Sequence, residues 1–314
     1  MIARLLQKYG TALAGVAMFA AFAVASDRFL TAANLFVVLK QISFITILAL
    51  GFALALITAE LDLSFGSVCS LGAVVCGGLI HHGYGIPIAV AAGLATGLLF
   101  GLANGLLVTR AKIPSLIATL ATGSIAVGCA FMITGGVAFV GRWKPEFLWI
   151  GRGSIGGVPI LALWTALAAV LCLFLIKQTR LGLHMVATGE AEDAARLAGI
   201  ATRRMKLLGL AASGLAAGVT AVLLTSSLSS ADAQTAADFL LIAIAAVLLG
   251  MTMFEPGRAN VPGTIVGALM IGGLSNGLVL AGAPYYVQHI VLGLIILASV
   301  GISASTLTRA AFSV

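Results

Sequence analysis

Of 314 residues, 61% are hydrophobic and 9% charged, and the mean hydropathy is +1.16; a soluble domain carries about a quarter charged residues and could not hide this much apolar surface. The net charge of +7 does not point to nucleic acid, because the basic residues form no long tract and lie in short segments between apolar runs, where membrane orientation accounts for them. Cys69, Cys76, Cys129 and Cys172 all sit inside apolar runs without CxxC or Cys/His spacing, which argues against a disulfide framework and against zinc.

Apolar runs of about 20 residues, enough to cross a hydrocarbon core about 30 Å thick at 1.5 Å per residue, fall near 11–30, 41–59, 64–82, 86–109, 115–136, 158–177, 204–228, 238–254, 260–281 and 286–305. The pattern predicts an all-α integral membrane protein of about ten transmembrane helices in a single domain. The first run follows a basic start and ends in small residues, Ala23 to Ser26, as a signal peptide does. With so many further spans, an uncleaved first helix is expected. An even count places both termini on one side. If that side is the cytoplasm, 12 of the 17 basic residues lie inside, namely Arg4, Lys8, Arg110, Lys112, Lys177, Arg180, Arg196, Arg203, Arg204, Lys206, Arg258 and Arg309.

Glu60 and Asp62 mark the break between the second and third spans, where ionisable residues near a membrane core are functional suspects. Asp62 and Ser64 either cap the helix beginning near Phe65 or contact a solute, and Glu60 is either a gate or an interfacial charge. His81 and His82 precede a turn and lack a third ligand, so they read as solvent-facing. In span four, Gly93, Gly97, Gly101 and Gly105 recur every fourth residue and leave a helix face almost bare, which suits close helix packing better than a pore lining. Asn104 can donate and accept, as a path for a neutral polar solute requires, or can bridge helices.

Gly101-Leu-Ala-Asn104-Gly105-Leu is echoed by Gly273-Leu-Ser-Asn276-Gly277-Leu, 172 residues later. The same offset carries spans two to five near the starts of spans seven to ten, least well for the first. Equivalent spans are five helices apart, an odd number, so units 41–136 and 204–305 would form two inverted four-helix repeats, preceded by span one and joined by span six. Solute paths commonly lie between such repeats, which makes Asn276 the counterpart of Asn104. Asp232 and Asp238, after span seven, either receive a solute-carrying partner or simply solvate a loop.

The segment between spans six and seven predicts a short helix over about 188–199, with Thr188 as N-cap, Glu190, Glu192 and Asp193 at its positive end and Gly199 as its stop. Ala194, Ala195, Leu197 and Ala198 would form a small apolar face suited to a groove in another protein. No phosphate-binding GxxxxGK[ST] loop or hydrolytic constellation occurs in the sequence, so energy is expected from a partner or from an ion gradient.

Gly189-Glu-Ala-Glu-Asp193-Ala194-Ala195-Arg196-Leu197-Ala-Gly199-Ile200 resembles the coupling-helix motif of ribose/xylose/galactoside-type sugar ABC importer permeases, with Asp193 in place of the usual Glu. The resemblance continues at Leu61-Asp62-Leu63-Ser64-Phe-Gly66-Ser67-Val68, at Gly101 to Leu106 with Ile113-Pro114 and Thr119-Leu120, and through Ala245 to Gly250, Gly263-Thr264 and Gly267-Ala268. It implies that Glu190, Glu192, Asp193, Ala194, Ala195, Arg196, Leu197 and Gly199 dock a cytoplasmic ATP-binding subunit. It also implies an extracytoplasmic solute-binding protein, a second permease copy, a bacterial inner-membrane location, and no cofactor on this chain, ATP and Mg belonging to the partner. Two departures stand out: Glu255-Pro256 where small residues are common, and Val127-Gly128 without the family's frequent Arg. An ion-coupled secondary carrier, a branched-chain amino-acid permease and a scaffold without transport are the competing readings.

Overall fold

A computed structural model describes the backbone of residues 2–312 and the side chains of residues 11–301; Arg4, Lys8 and Arg309, used above for orientation, lie outside the described side chains. Thirteen helices account for nearly all of the described chain: α1 (Ile2–Ala25), α2 (Ala32–Ile57), α3 (Phe65–His81), α4 (Ile86–Thr109), α5 (Ser115–Thr134), α6 (Pro145–Arg152), α7 (Ile160–Gln178), α8 (Arg180–Glu190), α9 (Glu192–Leu197), α10 (Thr202–Leu228), α11 (Phe239–Gly250), α12 (Val261–Leu280) and α13 (Tyr285–Phe312). Four two-residue strands pair antiparallel: β1 (Phe139–Val140) with β4 (Ser230–Ala231), and β2 (Ser154–Ile155) with β3 (Val158–Pro159).

Every apolar run predicted from the sequence contains one helix. Among the described residues, α2, α4, α5, α7, α10 and α12 are long and apolar enough to cross a membrane, and shorter apolar helices cover 11–25, 65–81, 239–250 and 285–301. Two spans change and one helix is added. Thr31 Oγ1 accepts from Asn34 N and starts α2 nine residues before the predicted 41. Span eight shrinks to the 12 residues of α11, followed by a turn-rich segment, 251–260, that Asn260 closes by accepting from Gly263 N at 2.7 Å. α6, within what reads as a loop, was not expected from the sequence.

α2 and α10 form the centre. α2 is buried continuously from Ile42 to Ile57, and α10 from Ala221 to Ser226. α10 packs on α4, α3 and α2, while α2 packs on α12 and α11; α3 packs on α4 and α5, as α11 does on α12 and α13. The glycine strip of α4 explains the tightest of these seams. A Cβ added at Gly101 would lie 2.6 Å from Leu210 O and one at Gly214 would lie 2.7 Å from Gly101 Cα, so the α4 and α10 backbones touch and no side chain fits between them. The expectation that the strip serves packing is met.

Candidate functional site

The α2–α3 turn is the polar centre of the bundle. α2 ends at Ile57, Ala59 adopts φ 60°, and residues 60–64 lead without regular secondary structure into α3. Here the backbone has lost its helical partners, and side chains from elsewhere replace them. Leu61 N donates to Ser115 Oγ at 3.1 Å and Leu63 N to Thr119 Oγ1 at 3.0 Å, pinning the turn to the first helical turns of α5. Asp62 Oδ1 accepts from Ser64 N at 2.8 Å and Ser64 Oγ at 2.6 Å. Asn104 Nδ2 then donates to Ser64 Oγ at 2.8 Å, and Thr122 Oγ1 donates to Asn104 Oδ1 at 2.6 Å.

One network therefore joins α3, α4 and α5 through Asp62, Ser64, Asn104 and Thr122, all of them buried. The capping expectation changes accordingly. Ser64 occupies the N-cap of α3 but makes no side-chain cap bond, because its hydroxyl is spent on Asp62 and Asn104. Asp62 stabilises the turn preceding the helix instead. Its Oδ2 is buried without a hydrogen-bond partner, as is Ser213 Oγ of α10.

Asn104 is a helix bridge whose amide is used at both ends. Asn104→Leu would strip Ser64 and Thr122 of a shared partner; the expected loss is about 1–2 kcal/mol, the upper part of the range for interhelical hydrogen bonds in membranes. A detergent unfolding titration checks it, and an unchanged midpoint would show that the network adds no stability.

Asn276 sits elsewhere. It exchanges two hydrogen bonds with Asn34, at 2.9 and 3.0 Å, and so ties α12 to the start of α2. Asn34 lies in the first turn of α2 and Glu60 just past its end at Ile57, so about 35 Å of helix separates them at 1.5 Å per residue. Glu60, Asp62, Ser64 and Asn104 are thus one cluster, and Asn276 is not part of it.

The segment after α7 differs from expectation. It is not one helix over 188–199 but two, broken at Ala191 with φ −154° and ψ 84°. Thr188 is no cap. It lies inside α8 and its Oγ1 donates to His184 O, whereas Thr179 caps α8 by accepting from Gly182 N at 3.1 Å. Gly199 is the stop the sequence indicates: it takes φ 82°, its N–H donates to Arg196 O, and Ile200 N donates to Ala195 O, satisfying the last carbonyls of α9.

Of the expected apolar face, Ala195 is buried against the chain's own body, while Ala194, Leu197 and Ala198 point away from it, Leu197 with 89% of its surface exposed. The apolar face is thus divided between the chain's own body and solvent.

Ion pairs hold this projection to the helices. Glu192, the first residue of α9, accepts from Lys206 Nζ at 2.7 Å; the same ammonium reaches Glu60 at 2.8 Å. Glu190, on the other side of the break, pairs with Arg258 at 2.7 Å. Glu255 pairs with Lys177 of α7 at 2.6 Å, which gives the Glu-Pro departure in segment 251–260 a structural role. Asp193 pairs locally with Arg196 at 2.8 Å. Between α7, α8 and segment 251–260 lies a cleft of about 650 Å³, with the Lys177–Glu255 and Arg258–Glu190 pairs in its walls.

Lys206 and Arg258 count in the sequence only towards orientation. The signal that points to them is the surplus of acid at Glu190, Glu192 and Asp193, which Arg196 alone cannot answer within the short helix. Thr122, Ser213 and Asn34 carry no signal of their own, since polar residues of this size are common in apolar helices.

The matching family model is the branched-chain amino acid transport system / permease component, over residues 34–300. The chain is 33% identical to the ribose import permease protein of Bacillus subtilis (strain 168), over 94% of this chain and 92% of that protein. It is 34% identical to the ribose import permease protein of Escherichia coli (strain K12), over 88% and 87%. It is also 30% identical to the L-arabinose ABC transporter permease protein of Azospirillum brasilense, over 95% and 87%. With a match across nearly its whole length and relatives of this similarity, the chain belongs to the permease-component family of these transport systems.

Proposed function

We propose that the chain forms the membrane path of an ATP-driven importer for a small sugar, a pentose, hexose or polyol, and that a separate subunit hydrolyses the ATP. The observation that carries this reading is the α8–α9 projection: α9 is a short helix that cannot cross a bilayer and exposes Leu197, while ion pairs join α9 through Lys206 to Glu60 and the end of α8 through Arg258 to segment 251–260. Such an element can receive force from a docked protein and pass it inward. ATP and Mg belong to that partner. The sugar class rests on the relatives, which are permeases for ribose and L-arabinose.

In this reading all ten apolar helices span the inner membrane, both termini face the cytoplasm, and α8–α9 lie on that side. The two units are inverted copies. The observed helix starts support this better than the sequence estimates do: shifted by 172, Ala32, Phe65, Ile86 and Ser115 fall within three residues of Thr202, Phe239, Val261 and Tyr285. The packing is also consistent with an exchange of α2 for α10 and α4 for α12, because α10 on α4 and α2 on α12 are then the same interface used twice. A second copy completes the path, and a solute-binding protein delivers the sugar from outside.

Vesicles holding the complete complex test it. ATP-dependent accumulation of labelled ribose or another pentose, insensitive to an uncoupler, is expected. ATP-dependent leucine uptake without sugar uptake would replace the sugar by an amino acid. Uptake that needs an ion gradient and ignores ATP would overturn the importer itself.

A further inference from the structure

We propose that Lys206 is the positioning residue that carries movement of α9 into the α2–α3 turn, an inference that rests on the importer reading above. Its ammonium is clamped between Glu192, which opens α9, and Glu60, in the turn, at 2.7 and 2.8 Å. The Glu192 side chain is 38% exposed, but the Glu60 arm is nearly dry, with 12% of the Lys206 side chain and 2% of the Glu60 side chain exposed. A carboxylate buried this deeply cannot be left without its cation, so Glu60 follows Lys206 rather than releasing it. By contrast, Arg258–Glu190 and Lys177–Glu255 are largely solvent-exposed and can break at little cost.

Beyond Glu60 the turn has no slack. Leu61 and Leu63 are bonded to Ser115 and Thr119 of α5, and Ser64 is bonded to Asn104 of α4. A displacement of α9 therefore reaches α3, α4 and α5 through Lys206, Glu60 and the turn, while the Gly199 stop and the few residues to Thr202 keep α9 close to the start of α10, where Lys206 sits. A Lys206–Glu60 pair this enclosed is a poor choice for stability alone, since apolar residues of equal volume usually serve better there. A role in transmission accounts for the arrangement.

A double-mutant cycle reads transmission directly, because Glu60 and Glu192 act on the same ammonium from different elements. The complete complex in sugar-loaded vesicles is assayed for sugar moved per ATP hydrolysed in Glu60→Gln, Glu192→Gln and the double variant. Each single change is expected to lower that ratio about tenfold, within the span that coupling residues show, and the double variant no further than the worse single, since a link cut twice is still one cut. A structural role predicts otherwise: transport and hydrolysis falling together with the ratio intact, or single effects that multiply in the double variant. Either result overturns the proposal.

Should Glu60→Gln fold poorly, Glu60→Gln with Lys206→Met removes both buried charges, and the same loss of ratio is expected at the wild-type melting temperature; a normal ratio there also overturns it. Wild-type complex that moves no sugar with ATP would fail the importer reading first, and is recognised before any variant is made.

Discussion

A chain carrying Leu197→Glu will insert and fold as the wild type does and will lose ATP-driven uptake. Leu197 stands 89% exposed at the end of α9 and supports nothing in its own chain, so its replacement removes no internal contact. Seating a leucine in a partner's groove contributes about 1.5–3 kcal/mol. A carboxylate in the same groove forfeits that and adds a desolvation cost of comparable size or more. The sum is at least about 3 kcal/mol, or roughly a hundredfold in affinity for the ATP-hydrolysing subunit at 1.4 kcal/mol per factor of ten. Titration of that subunit against the purified permease measures it directly. Normal binding with normal uptake would remove α9 from the coupling role, and Ala194→Glu, on the same exposed side, should repeat the effect.

The second large effect is structural. Gly97→Leu should prevent α4 from docking on α10, and even Gly97→Ala should destabilise by about 3 kcal/mol or more. A Cβ at this position would lie 2.5 Å from Gly218 N and 2.7 Å from Gly218 Cα, both backbone atoms of α10 that cannot swing aside. Overpacking a core against movable side chains costs about 1–3 kcal/mol; here the helices themselves must separate, and with them every close contact along the strip. Close packing is also what holds membrane helices together, lipid being as apolar as the interface. Gly128 is the matched control. It lies in α5, exposed, with nothing within 4 Å of an added Cβ, so Gly128→Ala should leave the unfolding midpoint unchanged or slightly raised. Equal loss at both positions would refute the packing argument.

Hydropathy made the helices legible and could not say which of them lie at the centre. α2 and α7 are both strongly apolar, yet 67% of the apolar window of α2 is buried against 11% for α7. Leucine and valine suit lipid and protein interior alike, so the distinguishing signal is residue size, visible in the glycines that α4 and α10 turn towards each other. The break at Ala191 was invisible for a different reason. Gly-Glu-Ala-Glu-Asp-Ala-Ala reads as uninterrupted helix, and the backbone departs from it where Glu190 and Glu192 are drawn to different partners, Arg258 and Lys206. Ala195 shows the same limit, since composition puts it on an apolar face without saying that this side of the helix faces inward.

The polar cluster was half legible. Glu60, Asp62, Ser64 and Asn104 stand out as polar residues in apolar surroundings, and the structure gathers them. Their partners Thr122 and Lys206 do not stand out, because what matters is a contact between residues 18 to about 150 positions apart in the chain. The echo between Asn104 and Asn276 was legible as a repeat of sequence, but the two asparagines have taken different partners, one in the buried network and one in a half-buried pair with Asn34.

The ion pairs around α8 and α9 also differ in how they respond to dissolved salt. Mobile ions at physiological strength screen charges over about 8 Å in water and hardly at all where water is excluded. At higher ionic strength the open Arg258–Glu190 and Lys177–Glu255 tethers weaken, and so does the Glu192 arm of the Lys206 clamp, whose side chain is 38% exposed. The enclosed Lys206–Glu60 arm keeps its strength. Added salt would thus loosen the tethers of α8 and α9 while leaving Lys206 fastened to the turn.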